Sequence, residues 1–278
     1  MHGYLAITRP VNSVIAGLAG VLGYLIATGT VRPEAALLIG IVALVTAAGN
    51  TINDYCDAEI DAVNRPDRPI PSGAVSGRGA LIYAALLFTG GVALALVTNP
   101  LCLGIAVFNS VLLVLYAVRL KGTPFLGNLA VAYLSSSIFL FGGALAGAEG
   151  LLATLPVAGV TLLAMLAREV LKDAEDVEGD RAGGARTLPM LIGVPRSVTL
   201  ALGFALAAVV LSMLPVFRWW GLPYLLAIGT LNIAVLFRSA GVRGCDTPAC
   251  VRTSGVTSTL KKGMFLSLLV FTAAAILC

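Results

Sequence analysis

Residues 35–61 read Ala35-Ala-Leu-Leu-Ile-Gly-Ile-Val-Ala-Leu-Val-Thr-Ala-Ala-Gly-Asn50-Thr-Ile-Asn53-Asp54-Tyr-Cys-Asp57-Ala-Glu-Ile-Asp61, an apolar run that passes into a cluster of carboxylates. Residues 35–53 carry no charged side chain. An uncharged apolar run of about 20 residues is long enough to cross the hydrocarbon core of a bilayer as a helix. This segment therefore predicts a membrane helix with an acidic end.

The whole chain has the composition of a membrane protein. It has 278 residues, of which 58% are hydrophobic and only 12% charged, and its mean hydropathy is +0.96. Soluble domains carry about 25% charged residues. We therefore expect an all-α membrane protein, with residues 1–278 forming a single transmembrane domain. Uncharged runs predict nine helices, at about 10–29, 35–53, 80–98, 100–118, 125–146, 150–167, 197–217, 219–237 and 263–278.

Basic residues predict the orientation in the membrane. If the N-terminus is cytoplasmic, 16 of the 18 Lys and Arg residues lie on the cytoplasmic side, and only Arg32 and Arg218 lie outside. This asymmetry agrees with the positive-inside rule. With nine spans, Cys278 is then outside. The formal charge of +4 reflects topology and contact with membrane lipid, and the absence of a basic face with interleaved aromatic residues argues against a nucleic-acid partner. The sequence sets no oligomeric state.

Cysteine and histidine offer no catalytic pattern. Cys245 and Cys250 are separated by four residues, which is the wrong spacing for a zinc site, and no histidine accompanies them. We expect the five cysteines to form no disulfide framework. The only histidine is His2, which excludes histidine-based catalysis and histidine-rich metal sites.

The acidic residues form an internal repeat. Eleven of the 14 Asp and Glu residues lie in segments 54–67 and 169–180. Asp173, Asp176 and Asp180 follow Asp54, Asp57 and Asp61 at the same offset of 119 residues. The same offset relates Glu169 to Asn50 and Glu178 to Glu59.

The spacing within each copy predicts a carboxylate stripe on one face of a helix, at the end of spans two and six. Helical residues advance about 100° each, so that each trio of aspartates falls within an arc of roughly 60°. Carboxylates packed on one face repel each other, and ionisable groups at membrane helices are functional by default. Two facing stripes would form a set of oxygen ligands suited to Mg²⁺ with a phosphorylated ligand.

Basic side chains accompany both stripes. Arg65 and Arg68 follow the first stripe in a proline-rich segment that predicts an ordered loop. Lys172 and Arg181 flank the second stripe, and Lys121 begins a glycine turn between spans four and five. These cations are candidates for binding phosphate oxygens, although the positive-inside rule alone accounts for about half of the basic residues in such loops.

These motifs resemble those of the UbiA-type intramembrane prenyltransferases. Asn53-x3-Asp57-x3-Asp61, followed by Arg65-Pro-Asp-Arg68-Pro-Ile-Pro-Ser-Gly, is similar to the first signature of that family, and Asp176-x3-Asp180 is similar to the second. The resemblance implies nine helices around a central cavity, in which Asp-bound Mg²⁺ holds a polyprenyl diphosphate. Ionisation would leave an allylic carbocation that an acceptor captures. The predicted catalytic residues are Asp54, Asp57, Asp61, Asp173, Asp176 and Asp180, and the same six aspartates with Asn53 are the predicted metal ligands.

The acceptor is predicted from two further segments. Residues 168–181 and 115–143 are similar to the archaeal ether-lipid branch of the family. That branch implies transfer of a geranylgeranyl group from geranylgeranyl diphosphate to the free hydroxyl of geranylgeranylglyceryl phosphate, a lipid-like phosphate acceptor. Arg9, Lys172 and Arg181 are unranked candidates for the acceptor phosphate. The predicted substrate-binding residues are Asn12, Asn50, Asn53, Arg65, Arg68, Tyr116, Lys121, Lys172 and Arg181.

Two alternatives remain open from the sequence. The first motif also resembles that of chlorophyll synthases, which leaves an aromatic or tetrapyrrole acceptor as the second reading. A cation transporter is a more distant alternative, because acidic residues near membrane helices also form ion pathways. Against transport, none of the predicted spans contains Asp or Glu.

Overall fold

The structure, a computed structural model, describes residues 2–217 and 220–277, without the side chains of residues 216 and 217. The predicted positions of Arg218 and Cys278 lie outside these residues. The described part contains helices and no strand. In chain order the α-helices are α1 His2–Ile7, α2 Pro10–Thr28, α3 Ala35–Cys56, α4 Ala58–Asn64, α5 Gly77–Ala95, α6 Pro100–Leu115, α7 Leu126–Leu145, α8 Ala148–Glu175, α9 Val177–Ala182, α10 Leu188–Ile192, α11 Val194–Leu211, α12 Gly221–Ala240, α13 Pro248–Ser254 and α14 Val256–Leu277. A π-helical turn covers Tyr116–Leu120, and 3₁₀ turns cover Leu214–Phe217 and Gly241–Gly244.

The predicted number of membrane spans is confirmed. Within the described ranges, nine helices are long and apolar enough to cross a bilayer. The sixth span differs most from its prediction, because α8 continues to Glu175 rather than ending near residue 167. Its last turns are amphipathic: Val170 and Leu171 are fully buried in a core cluster, whereas Lys172 on another face is exposed. One apolar face thus continues the helix through a charged segment that a search for uncharged runs excludes.

The chain forms two compact units. The first unit comprises the described residues up to Leu120 together with Ser137–Thr154. Its helices approach closely through small residues, since a Cβ atom added at Gly142 would lie 2.1 Å from the carbonyl oxygen of Gly20. Such glycine contacts are typical of packed membrane helices. Its core includes Tyr24, Leu38 and Ile41.

The second unit comprises Lys121–Ser136 together with the described residues from Leu155 onward. Its core cluster includes Val170, Leu171, Val198, Val242 and Val251, all essentially inaccessible to solvent. The expectation of a single domain is not decided by this division and stays a prediction.

A disulfide joins Cys245 to Cys250 in the second unit. The sequence predicted no disulfide framework, and the spacing of the cysteines did not predict this single pair. The 3₁₀ turn Gly241–Gly244 and the start of α13 bring the two Cα atoms to 5.3 Å, which lies within the range that a disulfide requires. Thr247 accepts a hydrogen bond from the backbone amide of Cys250 (3.3 Å) and so caps α13 inside this loop.

Candidate active site

The two acidic segments share a local break in the helix. We define the first patch as Asn53, Asp54, Asp57 and Asp61, and the second patch as Asp173, Asp176 and Asp180. The sequence predicts one uninterrupted helix end for each patch. The structure instead takes Asp57 (φ −90°, ψ 1°) and Asp176 (φ −108°, ψ 13°) out of the helical region. Both lie near the sparsely populated bridge region, where many active-site residues are found.

Hydrogen bonding nevertheless continues through both breaks. The amide of Asp57 donates to the carbonyl of Asn53 (2.9 Å), and the amide of Asp61 donates to the carbonyl of Asp57 (2.8 Å). In the second copy, the amide of Asp176 donates to Lys172 (3.1 Å) and that of Asp180 donates to Asp176 (2.9 Å). Each break therefore interrupts the helical dihedral angles without leaving these amides unpaired.

Two arginines bind the carboxylates of the first patch. Arg9 donates to Oδ1 of Asp54 at 2.6 Å. Arg68 donates from one nitrogen to Oδ1 of Asp54 (3.0 Å) and to Oδ2 of Asp61 (2.6 Å). Asp54 and Asp61 are only 4% and 6% exposed, so these ion pairs compensate charges that would be costly to bury alone. The prediction that Arg68 binds phosphate is not tested by these contacts and stays a prediction.

Arg9 is presented by a strained junction between α1 and α2. Its φ of 49° places it in the left-handed region, which is unfavourable for a residue with a Cβ atom. The preceding carbonyl of Thr8 accepts hydrogen bonds from Nδ2 of Asn50 (3.1 Å) and from the Ser13 hydroxyl (2.9 Å). Asn50, predicted to bind substrate, thus fixes the junction that carries Arg9.

The proline-rich loop after α4 positions Arg68. The amide of Ser72 donates to the carbonyl of Arg68 (2.9 Å), and the amide of Val75 donates to Pro69 (2.8 Å). Val75 packs with Ile7 in a small buried cluster. The prediction that this segment is an ordered, non-helical loop is confirmed.

Different side chains hold the second patch. Nδ2 of the buried Asn128 donates to Oδ2 of Asp173 (2.9 Å). Arg252 on α13 donates to the carbonyl of Glu175 (2.6 Å) and lies 3.9 Å from the Asp176 carboxylate. Sequence reasoning did not assign a role to Asn128, although it lies in the segment 115–143 that carries the resemblance. It had no signal for Arg252, which is 76 residues from Asp176 in the chain.

Burial raises the pKa of Asp180 above its ordinary value, and the nearby carboxylate of Asp176 raises it further. Lys172 acts in the opposite direction. These carboxylates of the second patch are only partly buried. The second patch is therefore an electronegative surface on which a cation would relieve repulsion between carboxylates.

The remaining predicted substrate-binding residues lie on several different elements. Tyr116 begins the π-helical turn, a feature that is frequent at functional sites. Within the second unit, the carbonyl of Gly122, next to Lys121, accepts a hydrogen bond from the amide of Arg186 (2.9 Å) in the loop after α9. The exposed members of the predicted set are Asn12, Arg65, Lys121, Lys172 and Arg181.

The donor set of the first patch fits a hard divalent cation. All its side-chain donors are oxygen atoms except the amide nitrogen of Asn53, and Mg²⁺ prefers oxygen ligands. Oδ1 of Asn53 is buried and has no hydrogen-bond partner among the described residues, which leaves it available to a cation. Within the same part of the chain, no three acidic, histidine or cysteine side chains are already arranged around a metal position. In the first patch, Arg68 binds both Asp54 and Asp61.

Comparison with known proteins identifies relatives over the full chain. The model of the UbiA prenyltransferase family matches residues 12–269. A protein named digeranylgeranylglyceryl phosphate synthase from Methanoculleus marisnigri is 57% identical over 277 residues, which cover 100% of this chain and 99% of the relative.

Solved structures show the same fold. A structure of a digeranylgeranylglyceryl phosphate synthase has a TM-score of 0.88 and 34% identity, with coverage of 99% of this chain and 98% of the other. A UbiA homologue from Archaeoglobus fulgidus, bound to DMAPP and Mg²⁺, has a TM-score of 0.69 and 17% identity, with coverage of 97% and 99%. The prediction of an all-α membrane protein of this architecture is confirmed.

Proposed function

Because the chain belongs to the UbiA prenyltransferase family, we propose that it transfers a geranylgeranyl group from geranylgeranyl diphosphate to the free hydroxyl of geranylgeranylglyceryl phosphate. Diphosphate is released, and the product is an ether-lipid precursor. The observation that carries this proposal is the 57% identity, over both full lengths, with a relative named for this activity. The nine apolar helices found within the described residues make the chain a multi-pass membrane protein, which suits two lipid substrates.

We assign the donor diphosphate to the two patches. Asn53 and the six aspartates are the proposed ligands of Mg²⁺, which the A. fulgidus homologue binds together with an allylic diphosphate. Mg²⁺ bound there would supply positive charge to the departing diphosphate. The buried, unpartnered Oδ1 of Asn53 supports this assignment.

Basic residues of the chain complete the proposed diphosphate site. Arg68 already lies within hydrogen-bond distance of Asp54 and Asp61. Its remaining guanidinium donors would reach a phosphate that those carboxylates hold through Mg²⁺. Arg65, Lys121 and Arg181 are exposed cations for the outer phosphate oxygens, with Asn12, Asn50 and Tyr116 as further proposed substrate contacts. Lys172 is proposed as a substrate contact on the acceptor phosphate. The apolar helices would keep water away from the allylic cation until the acceptor attacks.

An assay with purified protein tests the proposed function. The protein in detergent is incubated with geranylgeranyl diphosphate, geranylgeranylglyceryl phosphate and Mg²⁺, and the ether product is followed by mass spectrometry. We expect product formation that EDTA abolishes and Mg²⁺ restores. No product with this acceptor, combined with prenylation of an aromatic acid or a chlorophyllide, would assign the chain to the other acceptor class.

We also propose that the N-terminus and both patches face the cytoplasm, as the distribution of basic residues predicts. With nine spans, a reporter fused after residue 278 should then be active only if it is of a type that functions on the extracellular side. A cytoplasmic reporter active at that position would reverse the orientation.

A further inference from the structure

An ion pair lies in the last turns of α8, directly after the uncharged run 150–167 and one helical turn before the second patch. Arg168 donates a hydrogen bond from its guanidinium to a carboxylate oxygen of Glu169, and the two side chains are only 24% and 13% exposed. Glu169 precedes Asp173 by four residues and therefore lies on nearly the same helix face, about 6 Å further along the axis. Both charges have lost most of their contact with solvent, and a charge withdrawn from water requires a partner.

The pair is not part of the apolar core of its unit, although the charge of Arg168 also acts on the Glu175 carboxylate. In the second unit, α8 packs into the core through Val170, Leu171 and Ala174, and Arg168 and Glu169 are not members of that cluster. Nε of Arg168 is buried and has no hydrogen-bond partner among the described residues. A buried donor on a charged group is costly when it has no hydrogen-bond partner, so binding of a ligand oxygen at this position would be favoured.

The combination of charges distinguishes between the two substrates. A diphosphate carries several negative charges and no proton donor for a carboxylate, so Glu169 would repel it. A glyceryl phosphate carries an anionic phosphate and a neutral hydroxyl on the same three-carbon unit. A guanidinium and a carboxylate in direct contact match that pair of groups. Lys172, one turn from Arg168 on the same helix, adds a second cation beside the first.

We propose that the Arg168–Glu169 pair binds the polar head of the acceptor, with Arg168 on its phosphate and Glu169 on its free hydroxyl. This inference rests on the proposed function. In the reaction, the C1–O bond of the donor breaks and its electron pair leaves with the diphosphate. The acceptor oxygen forms the new bond to C1, and its proton passes to the Glu169 carboxylate. Glu169 is thus the general base, and Arg168 binds the acceptor.

Kinetics with both substrates test the Arg168 assignment. Arg168→Gln should raise the KM for geranylgeranylglyceryl phosphate roughly 10- to 100-fold, the loss expected for a charge-assisted hydrogen bond. The affinity for an unreactive thiolo analogue of the donor should stay within about twofold of that of the wild type, and Arg168→Lys should recover part of the acceptor affinity. Arg196→Gln, at an exposed arginine of α11, is the matched control and should leave both values unchanged.

Removal of the acceptor phosphate gives a readout that a purely structural role would not change. The wild type should prefer geranylgeranylglyceryl phosphate to geranylgeranylglycerol, and Arg168→Gln should lose most of this preference. An unchanged preference would overturn the assignment. So would equal losses of donor-analogue and acceptor affinity in both Arg168→Gln and Arg168→Lys, because the donor site does not depend on this pair.

Glu169→Gln tests the general base. It should lower kcat for ether formation roughly 100-fold, with acceptor KM and donor-analogue affinity nearly unchanged, and Glu169→Asp should recover part of the rate. Glu149→Gln, an exposed position at the other end of α8, is the control and should behave as the wild type. A Glu169→Gln enzyme with wild-type kcat would overturn the inference while the proposed function stands. Absence of ether product from the wild type itself would instead overturn the proposed function.

Discussion

The first and second patches have the same backbone break but different neighbours. In the first patch, Arg9 and Arg68 bind two deeply buried carboxylates. In the second patch, the neutral amide of Asn128 binds Asp173, and Arg252 reaches Asp176 only at 3.9 Å. Arg9 and Arg68 therefore compensate the buried carboxylates of the first patch. In the second patch, more of the negative charge stays accessible to solvent.

The offset of 119 residues locates where the two copies diverge. The position of Arg68 corresponds to Thr187, and the position of Asn50 corresponds to Glu169. Both copies thus keep their carboxylates and the break, while the side chains around them differ. The repeated carboxylates therefore do not require the same neighbouring side chains in both copies. We expect the first patch to depend on its arginines for stability and the second to tolerate the loss of its partners more easily.

The largest expected effect is common to both patches. Asp57→Asn and Asp176→Asn change equivalent positions of the two patches. Each should lower kcat/KM at least about 100-fold, because each would weaken the stabilisation of the leaving diphosphate by several kcal/mol. Initial rates of Mg²⁺-dependent ether formation measure this. The exposed Glu59→Gln and Glu178→Gln are matched controls and should remain active. Full activity in either Asp variant would remove that patch from the site.

Arg68→Thr gives the first patch the residue found at the equivalent position of the second. We expect it to lower the free energy of unfolding by about 3 kcal/mol, because the buried Asp61 loses its ion-pair partner. Thermal unfolding in detergent without added Mg²⁺ measures this. Arg78→Thr, at an exposed arginine of α5, controls for the change of charge. A loss no larger than that of Thr187→Ala would contradict the proposed difference between the patches.

The disulfide next to Arg252 tests how the second patch is held. Replacing Cys245 and Cys250 by serine removes the constraint on a six-residue loop and should destabilise the protein by at most about 2 kcal/mol on the chain-entropy account. We expect the double variant to retain most of its activity, because Asn128 still binds Asp173. The free energy of unfolding is measured for the oxidised wild type, the reduced wild type and the double variant. This comparison separates the effect of losing the disulfide from the effect of the serine side chains. A fall in activity as large as that of Asp176→Asn would show that the loop is required for catalysis.

Asn128→Ala should have the smallest effect. It removes one hydrogen bond to Asp173, and water can replace it because Asp173 is only partly buried. We expect a loss of about 1 kcal/mol in the same unfolding measurement. Asn128→Asp, which places a second carboxylate beside Asp173, should be more harmful. If Asn128→Ala costs as much stability as Arg68→Thr, the two patches are held equally firmly.

The fold class and the acidic motifs were predictable from local features. Nine uncharged runs gave the number of spans, because a helix must present an apolar surface of bilayer length to lipid. Spacing and composition also identified the six aspartates and the proline-rich loop. Helix ends were less predictable, as α8 and α14 show, because a helix continues into charged residues where only one face must remain apolar.

Contacts between residues distant in the chain were not predictable. No local sequence feature identifies Arg9, rather than Lys172 or Arg181, as the partner of the Asp54 carboxylate. The 3.9 Å approach of Arg252 to Asp176 depends on how α13 packs in the second unit. The internal ion pair of α8 was visible as two adjacent letters, but its burial and the unpartnered Nε of Arg168 were not.

The order of the side chains alone predicts that the chain crosses a membrane as helices and that it carries two copies of an acidic motif. Both properties follow from side chains read in order, through apolar length and helical period. The tertiary structure alone decided which cations neutralise which carboxylates, and that the helix breaks at Asp57 and Asp176. Such outcomes depend on burial and on contacts across many residues, where the desolvation of each charge selects its partner.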